Sequence, residues 1–204
     1  FITYVAVSKE GGVCSALAVS KDLNKWKRKG IIFQEQNKDA VLFPEKIKVK
    51  YAALNRPETA FAFRRPHIWI SYSNDLIYWG REKSLLDTRE NSWEDERNGA
   101  GAPPVRTKEG WLVIYHGLKR GTEKKEYSAG AVLLDLKNPE KIIARTPRNR
   151  PLIKPERIYE REGFIDNVVF PTAAIPDLNK KDLLIYSGGA DSVVTVKKIS
   201  FADI

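Results

Sequence analysis

Residues 68–79 read I-W-I-S-Y-S-N-D-L-I-Y-W, a short apolar strand followed by a polar bend that ends on tryptophan. The pattern S-x-D-L-x-x-W at residues 73–79 also occurs at residues 20–26. Isoleucine, tyrosine and tryptophan favour strands, and serine and aspartate side chains commonly hydrogen-bond their own backbone in turns. The sequence therefore predicts two copies of one strand-and-bend unit.

Two further similarities extend this repeat. Residues 112–117, L-V-I-Y-H-G, resemble residues 184–188, L-I-Y-S-G, and residues 135–141 supply a polar turn after the predicted strand at 129–134. Short strands that recur about every 40 to 70 residues indicate a radially repeated β architecture. The alternative is a β-sandwich in which the two sequence similarities are accidental. We predict an all-β fold, a β-propeller, because both the strand and its bend recur. Helix is expected only as a turn or two within residues 88–98.

Composition is that of an ordinary globular protein. The 204 residues are 42% hydrophobic and 30% charged, enough for a sizeable core in one domain or part of one. The net charge of +9 is interspersed with acidic residues, so we predict no nucleic-acid partner. Cys14 is the single cysteine; it excludes an internal disulfide and is expected to be a small core residue. No apolar run reaches the roughly 18 to 20 residues that span a bilayer, so we expect a cytoplasmic protein with no membrane partner.

The first residues read as a strand, Phe1-Ile2-Thr3-Tyr4-Val5-Ala6-Val7, with no preceding turn. The chain also contains no methionine. We therefore expect that residues upstream of Phe1 are missing and that residues 1–204 form a single, partial domain.

The segment 97–117 carries the first candidate functional residues. A glycine- and proline-rich loop leads into an apolar strand at 111–115, so that Arg97 and His116 lie at the two ends of one loop-and-strand unit. The alternative is a tight turn followed by a core strand that ends on a hydrogen-bonded histidine.

Six sequence blocks, in order along nearly the whole chain, resemble glycoside hydrolase family 130. They are N-K-D-A-V-L-F-P-E-K-I at 37–47, N-R-P at 55–57, the glycine-rich segment at 99–117, L-L-D-L-K-N-P-E-K-I-I-A-R at 133–145, Y-E-R-E-G-F-I-D-N-V-V-F at 159–170 and G-G-A-D at 188–191. The resemblance implies a five-bladed β-propeller, here incomplete at its N-terminus. It also implies an inverting phosphorylase that cleaves β-mannosides with inorganic phosphate and releases α-mannose 1-phosphate. A minority of the family are hydrolases.

The resemblance also implies which residues bind phosphate. In inverting phosphorolysis, phosphate takes the place of the second carboxylate of an inverting hydrolase, and several cationic or donor groups must hold it. The family motifs place Lys38, Arg56, Arg97, His116 and Tyr127 in this role. Taken singly, each has a structural alternative: solvation for Lys38, a loop salt bridge for Arg56, pairing of Arg97 with Asp95, or a core position for Tyr127. No metal and no cofactor is expected beyond phosphate as co-substrate.

Two cations differ from the family's usual residues, and two aspartates match its substrate-binding positions. Arg97 stands where the family's phosphorylases carry lysine, and Lys38 stands where they often carry arginine. Both exchanges keep the charge, whereas the hydrolase branch loses cations here, so phosphorolysis is favoured. Asp39 and Asp191 resemble substrate-binding positions, with a structural turn as the alternative for each. Glu160 and Glu162 are expected to be structural.

The family's general acid has no counterpart in this sequence. The resemblance implies an aspartate in a Glu-Asp-Pro-Arg motif before a strand like the one that opens this chain, so no catalytic residue is predicted within 1–204 and the acid is expected upstream of Phe1. Three hypotheses follow: a mannoside phosphorylase or its major fragment, a β-mannoside hydrolase of the same family, and a non-catalytic carbohydrate-binding propeller. Members of the family often assemble, which leaves a homo-oligomer open.

Overall fold

The computed structural model describes residues 1–58, 63–120 and 125–204, which contain fifteen β-strands, one turn of α-helix and one 3₁₀ turn. The all-β prediction is confirmed. Every strand pairing is antiparallel, and the strands form four sheets that follow one another along the chain.

The first two sheets are simple meanders. The first contains β1 (Ile2–Ser8), β2 (Gly12–Val19) and β3 (Lys27–Phe33) in that order. The second contains β4 (Asn37–Leu42), β5 (Tyr51–Pro57), β6 (Ile68–Ser73) and β7 (Trp79–Leu86), again in chain order.

The third and fourth sheets repeat this plan. The third contains β8 (Arg97–Ala100), β9 (Val105–Arg106), β10 (Trp111–Leu118), β11 (Tyr127–Leu134) and β12 (Ile142–Arg145), ordered β12-β11-β10-β8 with β9 also paired to β10. After the helical turn α1 (Ile158–Arg161), the fourth sheet contains β13 (Val169–Pro176), β14 (Asp182–Gly189) and β15 (Val193–Ser200). No helix in the described ranges is long and apolar enough to cross a membrane.

The repeated S-x-D-L-x-x-W segments fold into the same bend. Ser73 Oγ accepts hydrogen bonds from the backbone N–H groups of Asp75 and Leu76, at 3.2 and 2.9 Å, and Asp75 Oδ1 accepts from residues 77 and 78, both at 2.9 Å. Trp79 Nε1 closes the bend by donating to Leu76 O at 3.1 Å. The copy at residues 20–26 makes the same five bonds. The predicted strand-and-bend repeat is therefore confirmed.

The bends fix which strands are equivalent. One joins β2 to β3 and the other joins β6 to β7, and the predicted turn at residues 135–141 joins β11 to β12, with Asp135 Oδ1 accepting from residues 137 and 138. In this alignment β1, β5, β10 and β14 are equivalent, and the similar segments 112–117 and 184–188 fall on β10 and β14. Among the described residues, the first sheet has no strand at the position that β4, β8 and β13 occupy in the others.

The core lies between neighbouring sheets. One cluster joins the first and second sheets around Leu17 and Ala53, a second joins the second and third sheets around Leu54 and Trp111, and a third joins the third and fourth sheets around Ile114 and Ile185, among others. Each sheet thus buries one face against the next, as the repeat predicts. Cys14 is buried, which confirms its prediction as a core residue.

The helix predicted within residues 88–98 is wrong. This segment consists of turns and bends instead, because its buried carboxylate, Glu94, forms ion pairs with an arginine inside the segment and with another outside it. Glu94 pairs with Arg89 and with Arg145 of β12, at 2.7 Å in each case, and Arg145 also donates to the Tyr115 hydroxyl at 3.2 Å. The network ties the segment that precedes β8 to the third sheet.

Candidate anion-binding site

The candidate cations meet at one end of the second and third sheets, where β4 and β8 begin and where β5 and β10 end; we refer to it as the site end. Lys38 of β4 lies directly opposite Arg56 of β5. Arg97 begins β8, and His116 near the end of β10 lies opposite Gly99 of β8. Equivalent strands of two adjacent sheets therefore supply the cluster.

Arg56 is the centre of this cluster. The residue is only 3% exposed, and its NH1 lies 2.7 Å from Asp39 Oδ2 and 3.3 Å from His116 Nε2. Its NH2 donates to Glu58 Oε1 at 2.6 Å. The alternative for Arg56 was a salt bridge in a loop. In the structure Arg56 lies on a buried strand, and each terminal nitrogen of its guanidinium forms an ion pair with an acidic residue.

Glu58 links the three permanent cations. Besides Arg56, Lys38 Nζ lies 3.8 Å from its Oε1 and Arg97 NH1 lies 3.9 Å from its Oε2. Arg97 does not pair with Asp95, whose carboxylate accepts from the backbone N–H of residue 120 instead. Glu58 was not among the predicted site residues, although its spacing of two residues from Arg56 on an extended segment places both side chains on one face.

Asp39 lies inside the cation cluster, next to Arg56 and with its Oδ2 3.3 Å from His116 Nε2. A β-bulge directs it there, because Asp39 and Ala40 of β4 together oppose a single residue of β5. Asp39 accordingly has a positive φ of 55°. Asp39 was predicted to bind the substrate, and the structure brings it together with two of the residues predicted to bind phosphate, Arg56 and His116.

Burial and charge set the protonation of this pair. Burial lowers the pKa of the His116 imidazole, and the charges of Arg56 and Arg97 lower it further against the raising effect of Asp39. Burial would raise the pKa of the Asp39 carboxyl, but its neighbours His116, Arg56 and Lys38 outweigh this and hold that pKa below its usual range. Since a depressed pKa leaves His116 neutral near neutral pH, we regard Arg56 as the main charge that keeps Asp39 ionised.

Aromatic rings form one wall of the site. The His116 ring stacks on Phe170, at the start of β13, with centroids 4.2 Å apart and planes 29° apart. Tyr127, at the start of β11, lies 6.1 Å from the His116 ring and is half-buried rather than in the core. Burial raises the pKa of the Tyr127 phenol, which is therefore a neutral donor. Phe170 was not predicted as part of the site, although it lies in one of the quoted sequence blocks.

The remaining predicted residues lie elsewhere. Asp191 is exposed in the tight β14–β15 turn, which also lies at the site end, and has a positive φ of 49°. Its part in substrate binding stays a prediction. Glu160 is fully buried, accepts from the backbone N–H groups of residues 156 and 157 and pairs with Lys197 at 2.8 Å. The structural role predicted for Glu160 is confirmed.

A cavity of about 1140 Å³ opens at the opposite end of the third and fourth sheets. Its lining includes Leu112, Leu133, Leu152 and Phe201, but none of the candidate site residues. The cavity and the cation cluster are therefore separate features.

Several nitrogen atoms of the cluster lack a hydrogen-bond partner within the described residues. In the part of the chain that the structure describes, Arg56 Nε, Arg97 Nε and His116 Nδ1 are buried without a hydrogen-bond partner. Three permanent cations, two carboxylates and a neutral imidazole meet here, and the Tyr127 ring lies 6.1 Å from the imidazole. Such a set suits a small oxyanion, because guanidinium groups match the geometry of its oxygens and the neutral donors add directed hydrogen bonds.

Comparisons with known proteins agree with this chemistry. The family profile described as β-1,4-mannooligosaccharide phosphorylase matches residues 1–204. A 1,2-β-oligomannan phosphorylase of Thermoanaerobacter sp. (strain X514) is 45% identical over 92% of this chain and 59% of its own length. A β-1,2-mannobiose phosphorylase of Listeria innocua is 40% identical over 94% of this chain and 51% of its own length.

The same relationship holds in three dimensions. The structure of a β-1,2-mannobiose phosphorylase from Listeria innocua, in complex with β-1,2-mannobiose, superposes with a TM-score of 0.90 at 38% identity. The match covers 99% of this chain and 55% of that structure. The chain thus spans between 51% and 59% of the length of these three relatives.

Proposed function

The chain belongs to glycoside hydrolase family 130, and from that premise we propose that it is the phosphate-binding part of a β-mannoside phosphorylase. In this proposal the enzyme cleaves β-mannosides with inorganic phosphate and releases α-mannose 1-phosphate with inversion. The four sheets are four blades of a five-bladed β-propeller, which their repeated order and their face-to-face packing support.

The convergence of Lys38, Arg56 and Arg97 on one point carries the proposal. Three cations from three strands of two sheets meet beside a neutral histidine and outnumber the two carboxylates, Asp39 and Glu58, that lie among them. A phosphate nucleophile does need such a set, since it must be held on the face of the sugar opposite the leaving group. We assign Lys38, Arg56, Arg97, His116 and Tyr127 to phosphate, with no metal and no cofactor in the reaction.

The relatives support a mannoside as the other substrate. All three relatives described above are named for β-1,2-linked substrates, whereas the family profile is named for β-1,4-linked ones. We take β-1,2-mannobiose as the first substrate to test. Asp191, at the site end, is proposed to bind hydroxyl groups of the mannose.

The general acid is proposed to come from outside residues 1–204. Neither carboxylate of the cation cluster is placed for that role, because Asp39 and Glu58 are both engaged by Arg56. An acid must be protonated before it donates, and a neighbouring guanidinium favours the ionised form.

The test is phosphorolysis by the full-length gene product. β-1,2-mannobiose is incubated with and without inorganic phosphate, and mannose 1-phosphate and free mannose are quantified separately. Phosphate-dependent release of mannose 1-phosphate is expected. Free mannose released without phosphate would contradict the proposal in favour of a hydrolase, and no cleavage of any β-mannoside by the folded protein would favour a carbohydrate-binding propeller.

A pair of arginine variants locates the phosphate site. Arg56→Gln is expected to lower phosphorolysis by at least about 30-fold, because removal of one member of a buried charge set leaves its partners uncompensated. Arg106→Gln is the matched control, since Arg106 is exposed on β9 away from the site end and lies 3.8 Å from an exposed glutamate. Equal losses in both variants would contradict the assignment.

A further inference from the structure

An ionised carboxylate inside a cation cluster is unusual in a site proposed to bind an anion. Asp39 and Glu58 offset two of the three permanent charges, those of Lys38, Arg56 and Arg97. Glu58 directly follows β5 and lies near the surface, with 18% of its side chain exposed. Asp39 lies deeper in the cluster, beside any anion that enters.

The backbone and its neighbours hold Asp39 in place. Its side chain is 10% exposed, and the β-bulge of β4 sets its direction. Gly99 of β8 packs directly against Asp39 Oδ2 and against the imidazole of His116, with no room for even a methyl group. A side chain confined on these sides keeps its position whether the site is empty or filled.

Asp39 also keeps acceptor capacity. Its Oδ2 is enclosed by Arg56 NH1 at 2.7 Å and His116 Nε2 at 3.3 Å, and neither contact is aligned as a hydrogen bond. Because Oδ2 is buried, a ligand can contact only the 10% of the side chain that is exposed. A carboxylate held by ion pairs alone is stabilised by a ligand that donates a hydrogen bond to this exposed part.

The oxyanions that fit such a cluster differ in whether they can bring this proton. Near neutral pH inorganic phosphate and arsenate retain at least one O–H group, whereas sulfate and selenate have none. A hydrogen bond from an O–H to a carboxylate is among the stronger ones in proteins, while a bare anionic oxygen at the same place meets only repulsion. The carboxylate therefore discriminates between two classes of anion of the same size and shape.

We propose that Asp39 accepts a hydrogen bond from the protonated oxygen of inorganic phosphate and thereby makes the site reject sulfate. The proposal rests on the proposed function of this site in phosphate binding. It gives Asp39 a part in selecting the nucleophile, in addition to any contact with the sugar.

Anion binding to the full-length protein tests this by calorimetry, without any turnover. Phosphate and arsenate are expected to bind, and sulfate and selenate are expected to bind roughly 10- to 100-fold more weakly, the range expected for one hydrogen bond to a charged group. Sulfate that binds the wild-type protein as tightly as phosphate would overturn the inference and leave the phosphorylase proposal intact. Absence of phosphate binding would instead remove the proposed function and this inference with it.

A substitution then locates the selectivity. Asp39→Asn keeps the size of the side chain but replaces the negative charge by an amide that can donate, so sulfate affinity is expected to rise until the two anions differ by less than about 5-fold. Glu109→Gln, in the exposed turn before β10 at the opposite end of the sheet, is the matched control and is expected to keep the wild-type ratio. An unchanged phosphate-to-sulfate ratio in folded Asp39→Asn would refute the role of Asp39. If this variant does not fold, the wild-type comparison of the four anions still decides the proposal.

Discussion

Gly99 offers a sharp test of how the site is packed. A Cβ added to this residue would lie 2.6 and 2.7 Å from two atoms of the His116 ring, and closer still to Asp39 Oδ2. These neighbours have little room to retreat, because His116 is stacked on Phe170 and Asp39 is paired with Arg56. Gly99→Ala therefore pushes two site residues out of position while adding a single methyl group.

The size of the effect follows from the overlap. Inserting a methyl group into a closely packed site costs about 1 to 3 kcal/mol. If the displaced side chains are those that hold the anion, this cost appears as weaker phosphate binding. Since about 1.4 kcal/mol corresponds to a factor of ten, phosphate affinity is expected to fall about 5- to 140-fold.

The measurement is phosphate binding by calorimetry on the full-length protein and two glycine variants. Gly188→Ala is the matched control, because an added Cβ there meets its nearest atoms, in Phe170, only at 3.9 and 4.0 Å. This control is expected to bind phosphate as the wild-type protein does. Wild-type affinity in a folded Gly99→Ala variant would refute the packing argument, and an equal loss in Gly188→Ala would show that the effect is not local.

Three further predictions concern stability, each measured by urea unfolding with circular dichroism. Glu94→Gln is expected to cost about 3 to 5 kcal/mol, because it leaves two arginines without their buried counter-charge; a loss below 1 kcal/mol would contradict this. Leu23 and Leu76 occupy the same left-handed position in the two bends, at φ 62° and 70°, but Leu23 is 76% exposed and Leu76 is 8% exposed. Leu23→Gly is therefore expected to change stability by less than about 1 kcal/mol, since relief of strain offsets added chain entropy, and Leu76→Gly to cost about 2 to 5 kcal/mol; equal effects would refute the distinction. Burial lowers the pKa of both His67 and His116, so below a pH of about 6.5 the unfolded chain binds more protons than the folded one. The free energy of unfolding should therefore decrease as the pH is lowered below this value. His67→Gln should make this decrease less steep, and an unchanged pH dependence would contradict the prediction.

The local parts of the fold could be predicted from the sequence. The bend that includes Ser73 and Asp75 is stabilised by hydrogen bonds between residues two or three apart, so its pattern can be recognised in the sequence and its copy identifies equivalent strands. The segment 88–98 could not be predicted in this way. Its conformation depends on Glu94 reaching Arg145, more than fifty residues away, and no local pattern reveals such a partner.

The candidate site also contains residues that could be predicted from the sequence and one feature that could not. Lys38, Arg56 and His116 could be proposed from their place in sequence blocks, and the structure brings them together. The direction of Asp39 could not be proposed, because it depends on a bulge in the register between β4 and β5. A one-residue shift in that register would point the side chain to the other face of the sheet.

The acidic residues of the site follow from the burial of Arg56. A guanidinium that is only 3% exposed cannot remain without counter-charges while the site is empty, because an uncompensated buried charge would cost several kcal/mol. Asp39 and Glu58 meet this need and so belong to the stability of the empty site. The same carboxylates then remain next to the ligand, where one of them, Asp39, is fixed and can only accept a hydrogen bond. Selectivity for a protonated oxyanion is thus a consequence of how a buried arginine is stabilised, and a variant that removes Asp39 should lose selectivity and stability together.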